Sequence, residues 1–191
     1  DITESKATET MLLEAEERYR NLVVTAHDLV WSMDTEGRWT YLNSAAHHIY
    51  GYDAKELLNE SLSMLQTNES RGRDESAFAS VIEGEELLGY ETVHLDKDGS
   101  TRQISFNGRP HIGSDGKVQY ITGTSRDITE QKAYETELTY QAQHDKLTGL
   151  QNRSFFQEEL ECLSARIARR QEKCALIYLD LDQFKYVNDT I

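Results

Sequence analysis

Proline is nearly missing from this chain: Pro110 is the only one in 191 residues. No Pro-rich spacer separates its parts, so the joints between them are expected to be helical. Cysteine is almost as scarce. Cys162 and Cys174 are the only two, without a His/Cys cluster at ligand spacing, which argues against structural zinc and leaves two ordinary thiols. Long apolar runs are missing too. Stretches such as 22–24, 29–31 and 175–179 fall far short of the ~20 residues a membrane span requires. No basic start followed by an apolar core marks a secretion signal. A cytoplasmic protein without a membrane segment is therefore expected. Positive charge is outnumbered, 20 Lys+Arg against 34 Asp+Glu, for a formal charge of −14. That balance argues against a phosphate-backbone footprint, so no nucleic-acid partner is expected.

With 38% hydrophobic and 28% charged residues, the chain suits globular structure better than disorder. The tetrapeptide Asp-Ile-Thr-Glu occurs at 1–4 and again at 127–130. Each copy precedes a polar helix-forming stretch and then a new module. Its aspartate or threonine can cap that helix, with an acid in the first turn where the macrodipole favours it. The first copy reads as the tail of a preceding domain. Over 8–25 the pattern is helical, with Leu12, Ala15, Tyr19 and Leu22 at +3, +4 and +3. That spacing fits a short coiled-coil seam or an amphipathic helix lying on its own domain equally well.

A mixed module follows. Strands are predicted over 28–34 and 39–43 around a turn with Gly37, then short helices over 44–50 and 54–58 and a longer one over 75–83. Three more strands, 89–95, 102–110 and 117–127, are joined by Asp/Gly-rich turns at 96–99 and 113–116. In this order the segments DLVWSMDTEGRWTYLN, GYDAKELLNES, DKDGSTRQISFNG and ITGTSRDITEQK resemble a PAS domain over about residues 17–132. The resemblance implies an α+β fold: a five-stranded antiparallel sheet with flanking helices, enclosing a small pocket. Its last strand should pass an aspartate and a threonine straight into an output helix. The expected divisions are a linker helix at 1–25, the PAS domain at 26–129, the output helix at 130–144 and a further domain from 145 to 191.

Trp31, Tyr41, Tyr50 and Tyr90, with Trp39, are candidates to line the pocket, although aromatics on strands also serve as plain core. A small organic ligand and a pocket filled by its own side chains both remain open. Residues 29–127 hold no cysteine, which argues against light-sensing flavin chemistry, and 74–88 hold no histidine, which argues against haem. His47, His48, His94 and His111 read as surface or capping residues.

Beyond the output helix two blocks stand out, HDKLTGLQNRSFF from His144 and ALIYLDLDQFKYVNDTI from Ala175. Between them a helix with an apolar face of Phe156, Leu160, Leu163 and Ile167 is expected, followed by a buried central strand over 175–181. Asp180 and Asp182 sit two apart at the end of that strand, so their carboxylates share one face. Hard oxygen ligands on a rigid strand suit Mg²⁺ together with substrate phosphates.

The two blocks resemble the opening of a GGDEF (diguanylate cyclase) domain, here a truncated α/β palm-like start. By that resemblance Asp180 binds the metal, assisted by the backbone carbonyl of Leu181, with Asp182 as the weaker candidate ligand. Backbone amides at Gln183 and Phe184 and the ammonium of Lys185 would hold the triphosphate of GTP, and Asn188 the guanine edge. Lys146 and Gln151 stand where proline is usual in the family. The Gly-Gly-acidic-Glu-Phe loop of such domains does not occur among the 191 residues, so the fragment by itself is expected to make no product. The implied role is a sensory and dimerisation module controlling a cyclase that turns two GTP into cyclic di-GMP, with Mg²⁺. It would pair as a homodimer through its flanking helices, Tyr134 and Leu138 marking one face of the second. The alternative is a PAS protein-interaction module attached to a degenerate, non-catalytic GGDEF domain.

Overall fold

The computed structural model describes residues 27–170, 175–177 and 179. The chain divides into two compact units, with the boundary after Glu135. In the first unit, strands β1 (Leu29–Met33) and β2 (Trp39–Leu42) lead into helices α1 (Ala45–Tyr50) and α2 (Ala54–Leu57). A 3₁₀ turn (Leu62–Met64) and helix α3 (Arg71–Ile82) follow, then β3 (Leu87–Leu95), β4 (Thr101–Ile112) and β5 (Val118–Asp127). The strands form one antiparallel sheet in the order β2-β1-β5-β4-β3.

Local chemistry sets this order. In the β1–β2 turn Asp34 Oδ1 accepts from the backbone N–H of Glu36 and Arg38, both at 2.9 Å, and Gly37 takes φ +77°. Asp96 repeats the device between β3 and β4, accepting from the N–H of Asp98 at 3.1 Å and of Ser100 at 2.8 Å. Asp53 and Glu56 form a capping box on α2, and Lys97 ties that helix to the β3–β4 turn through Glu56 at 2.8 Å. Leu29, Trp31 and Met33 alternate inward along β1 and pack with Ile49, Tyr50, Leu57, Leu65 and Val81 from the helical side. The core thus lies between one face of the sheet and the short helices.

The expected order of elements holds, with two informative shifts. Helix α3 begins at Arg71 rather than near 75, which brings Asp74 into its first turn. On β2 the burial runs buried-exposed-exposed-buried instead of alternating. A register shift between Ser32 and Met33 pairs Trp39 with Met33 and Tyr41 with Ser32, so Trp39 is buried and Tyr41 faces out.

One close approach fixes a glycine. Gly123 on β5 lies opposite Trp31, and a Cβ there would collide with the Trp31 ring and the Asn107 carbonyl oxygen. Gly123→Ala is therefore expected to lower stability by about 2–3 kcal/mol. A denaturant midpoint unchanged from wild type would contradict that close packing.

Helix α4 (Thr129–Gln143) leaves the sheet and ends in a turn organised by Asp145. Asp145 Oδ1 accepts from the N–H of Leu147 and Thr148 and from the Thr148 hydroxyl, which holds its carboxyl below the usual carboxylate range. Helix α5 (Arg153–Arg170) starts where Asn152 Oδ1 accepts from the N–H of Phe155 at 2.9 Å. Its half-buried face is Phe155, Leu160, Leu163 and Ile167. Phe156, expected on that face, is 41% exposed, because the helix starts in a phase that turns its neighbour inward. Ala175, Leu176, Ile177 and Leu179 belong to no strand and are exposed, not the buried central strand expected. Among the described residues no strand pairs with them. Residues 1–25, with the seam of Leu12, Ala15, Tyr19 and Leu22, lie outside the described residues.

Candidate functional site

Helix α3 and the sheet flank a half-open pocket with a cavity volume of about 40 Å³. Its walls are apolar: Trp31 and Met33 from β1, Phe78 and Val81 from α3, and Phe106 and Ile121 from β4 and β5. Trp31 is held edge-on to Phe106 (6.0 Å between ring centres), and its Nε1–H donates to Ser125 Oγ at 2.7 Å.

One end is polar. The alternation of β3 sends Tyr90, Thr92 and His94 to the same face, and the first turn of α3 brings Asp74 to meet them. Asp74 Oδ1 accepts from Tyr90 Oη at 2.8 Å and Thr92 Oγ1 at 2.6 Å. Burial pushes this carboxyl up, but His94, Thr92, Tyr90 and Ser70 more than offset that and hold it below the usual carboxylate range. His94 is buried between Asp74 and Tyr50. Its Nδ1 lies 3.0 Å from Tyr50 Oη and its Nε2 3.7 Å from Asp74 Oδ2.

Of the four pocket candidates, Trp31 and Tyr90 line the cavity. Tyr50 is fully buried behind it and reaches it only through His94. Tyr41 is 44% exposed and takes no part, the consequence of the β2 register shift. His94, read as a surface or capping residue, is instead 1% exposed, because it continues the inward alternation of Tyr90 and Thr92. That alternation, set against Ile104 and Phe106 on the paired strand, was the available signal for His94. Asp74 had none, since its role depends on where α3 starts. His47 and His48 are exposed, as expected.

Burial, and then the hydrogen bond to the Asp74 carboxylate, push the Tyr90 phenol from its ordinary 10.0 up to about 12. The folded state thus favours the neutral phenol. Its stabilising contribution is fully present below pH 10.0 and is lost as pH rises through about 12. Tyr90→Phe is expected to flatten that part of the stability profile, read as urea midpoints between these pH values. A variant that still loses stability as steeply as wild type would show that another group titrates there.

The candidate metal and GTP residues Asp180, Leu181, Asp182, Gln183, Phe184, Lys185 and Asn188 lie outside the described residues. Among the described residues no group of three or more His, Cys, Asp or Glu could hold a metal ion, and no helix is long and apolar enough to cross a membrane.

The junction between sheet and output helix is fully specified. Asp127 Oδ1 accepts from the N–H of Thr129 at 2.8 Å, and Thr129 Oγ1 accepts from the N–H of Gln103 at 2.9 Å. Ile128, buried, donates its N–H to the Gln103 carbonyl at 2.8 Å. Arg102 reaches Asp127 at 3.6 Å, and Lys132 reaches Glu91 on β3 at 2.7 Å.

A five-stranded antiparallel sheet closing a small cavity against short helices, with its last strand clamped to an exiting helix, defines a sensor module of the PAS class. Residues 25–133 match the PAS fold family and residues 142–191 the diguanylate cyclase, GGDEF domain family. The chain belongs to the PAS family and carries a GGDEF segment behind the PAS domain. It is 26% identical, over an alignment of 192 positions that covers its whole length, to the probable diguanylate cyclase DgcE of Escherichia coli. It is 31% identical over 159 residues, 81% of its length, to the diguanylate cyclase DgcM of the same species. The chain spans 17% of the first relative and 37% of the second. A PAS domain from Colwellia psychrerythraea superposes with a TM-score of 0.55 at 22% identity, covering 61% of this chain and 98% of that one, which shows the fold.

Proposed function

We propose that this chain is the sensing and coupling part of a diguanylate cyclase that forms cyclic di-GMP from two GTP with Mg²⁺. The observation that carries the reading is the junction. Gln103 on β4, Asp127 at the end of β5 and Thr129 at the start of α4 share hydrogen bonds, and Lys132 adds an ion pair to β3. A rearrangement around the cavity on these strands therefore has a direct mechanical route into α4. A ligand can shift the output only by its differential affinity for two arrangements of that junction.

In this reading Tyr134 and Leu138, 62% and 66% exposed on α4, form part of a homodimer seam. Pairing matters because cyclisation joins two GTP molecules held on two domains. Asp180 with the Leu181 carbonyl holds Mg²⁺, with Asp182 beside it. Gln183, Phe184 and Lys185 hold the triphosphate, and Asn188 the base. GTP as substrate places the activity in the cytoplasm. The 191 residues by themselves make no product in this reading, because they hold no Gly-Gly-acidic-Glu-Phe loop.

The test uses a longer protein in which this chain is joined to a complete GGDEF domain. Incubated with GTP and Mg²⁺ and resolved by chromatography, it is expected to yield cyclic di-GMP, and Thr129→Val is expected to change that rate several-fold without unfolding the PAS unit. Absence of product refutes the cyclase assignment. A rate indifferent to Thr129→Val refutes the coupling route.

A further inference from the structure

The polar groups around the pocket are already engaged. Asp74 Oδ1 takes the hydroxyls of Tyr90 and Thr92, and Oδ2 is sealed from the open space. His94 Nδ1 meets Tyr50 Oη, and Trp31 gives its Nε1–H to Ser125 Oγ, both partners standing behind the wall. The rest of the wall is apolar, with Met33, Phe78, Val81, Phe106 and Ile121. Water can reach this half-open space, but it needs about two to four polar partners to stay. An apolar group that displaces such weakly held water gains affinity. A ligand carrying a charge or a hydroxyl loses its own hydration there without replacement.

The space is also held open. The hydrogen bonds of Asp74 to Tyr90 and Thr92 fix how closely α3 approaches β3. Trp31 is pinned by Ser125 and by its edge-on contact with Phe106, 6.0 Å between ring centres. Size then narrows the occupant. About 40 Å³ holds roughly three water-sized groups at ~10–15 Å³ each and falls far below the ~150 Å³ that admits benzene.

We propose that this pocket binds a short hydrocarbon, an uncharged apolar molecule of about three non-hydrogen atoms, seated between Trp31, Phe78 and Phe106. This names the ligand class of the sensor pocket and rests on the sensor reading above. The pocket is walled by β1, α3, β4 and β5, and β5 leads into α4. Contacts with all of these elements are the means by which the ligand favours one arrangement of the junction over another.

Propane and ethanol make the decisive pair, equal in non-hydrogen atoms and differing by a methyl group against a hydroxyl. The 191-residue chain is titrated with each, following the indole N–H resonances of Trp31 in the wall and of Trp39, which stands 5.7 Å from it edge-on. A saturable propane shift is expected with a Kd on the order of millimolar, the limit for so few atoms. Ethanol should bind at least about tenfold more weakly. Ala77→Leu enlarges a wall residue on α3 and should abolish the propane shift by filling the space. In wild-type crystals pressurised with xenon, the atom is expected between Trp31, Phe78 and Phe106.

Three results overturn the proposal: no saturable propane shift, ethanol binding as tightly as propane, or a folded Ala77→Leu variant that binds propane like wild type. Should Ala77→Leu fail to fold, the xenon experiment decides in its place, and a pocket without xenon overturns the proposal. If propane binds but leaves the cyclase rate of the longer protein unchanged, the site stands and the sensing reading fails.

Discussion

Replacing Trp31 with alanine is expected to lower the stability of the PAS unit by about 4 kcal/mol. Three independent losses combine. The buried indole leaves a cavity next to one that already exists. Its edge-to-face contacts with Trp39 at 5.7 Å and Phe106 at 6.0 Å disappear. Its Nε1–H no longer meets Ser125 Oγ, which is itself 1% exposed and would be stranded. Against a typical total of about 5–15 kcal/mol, such a loss leaves a marginal fold. Urea unfolding of the variant, followed by circular dichroism, measures it. A shift under about 1.5 kcal/mol would mean that Trp31 does not organise the core. Trp31→Phe should recover part of the loss but not the hydrogen bond.

The second large effect concerns chemistry. Under the cyclase reading, Asp180→Ala in the longer protein is expected to slow cyclic di-GMP formation on the order of 10³-fold. The carboxylate would anchor the cation that neutralises charge on the phosphates as the new bond forms, so kcat should bear the loss. Lys185→Ala, which removes a charge from the bound triphosphate, should raise KM for GTP more than it lowers kcat. Thermal unfolding of the PAS unit should be untouched by either change. A loss below about tenfold for Asp180→Ala would remove that residue from the metal site.

Much of the fold was legible because its signals are local. Alternation in Leu29-Val30-Trp31-Ser32-Met33, the turn with Gly37 and the Asp/Gly-rich turn from Asp96 are short-range chemistry, and each placed its element correctly, although Asp34, read as strand, proved to organise the first turn. Tyr41 failed because one residue of bulge reverses its face, and nothing in the residues around it announces a bulge. The start of α3 failed because Arg71-Gly72-Arg73 is polar and contains a glycine, so the segment resembles loop until Asp74 finds its partners on β3. The polar end of the cavity is in this sense a tertiary fact: its acid and its histidine are twenty residues apart and meet only when helix and strand pack. The aromatic wall needed less. Trp31 and Tyr90 were within reach of periodicity alone.

The sheet order has a kinetic consequence. β3, β4 and β5 follow one another in sequence and pair as a local meander, whereas β1 pairs with β5, Leu29 opposite Ser125, across nearly a hundred residues. Loop closure over that span has to precede the contacts that repay it, which slows folding. On a ribosome adding roughly 5–20 residues per second, β1 and β2 would emerge about 5–20 s before their partner exists. During that interval Trp31 and Trp39 sit on a hairpin with one unpaired edge, so the nascent chain passes through a window in which chaperone binding competes with closure.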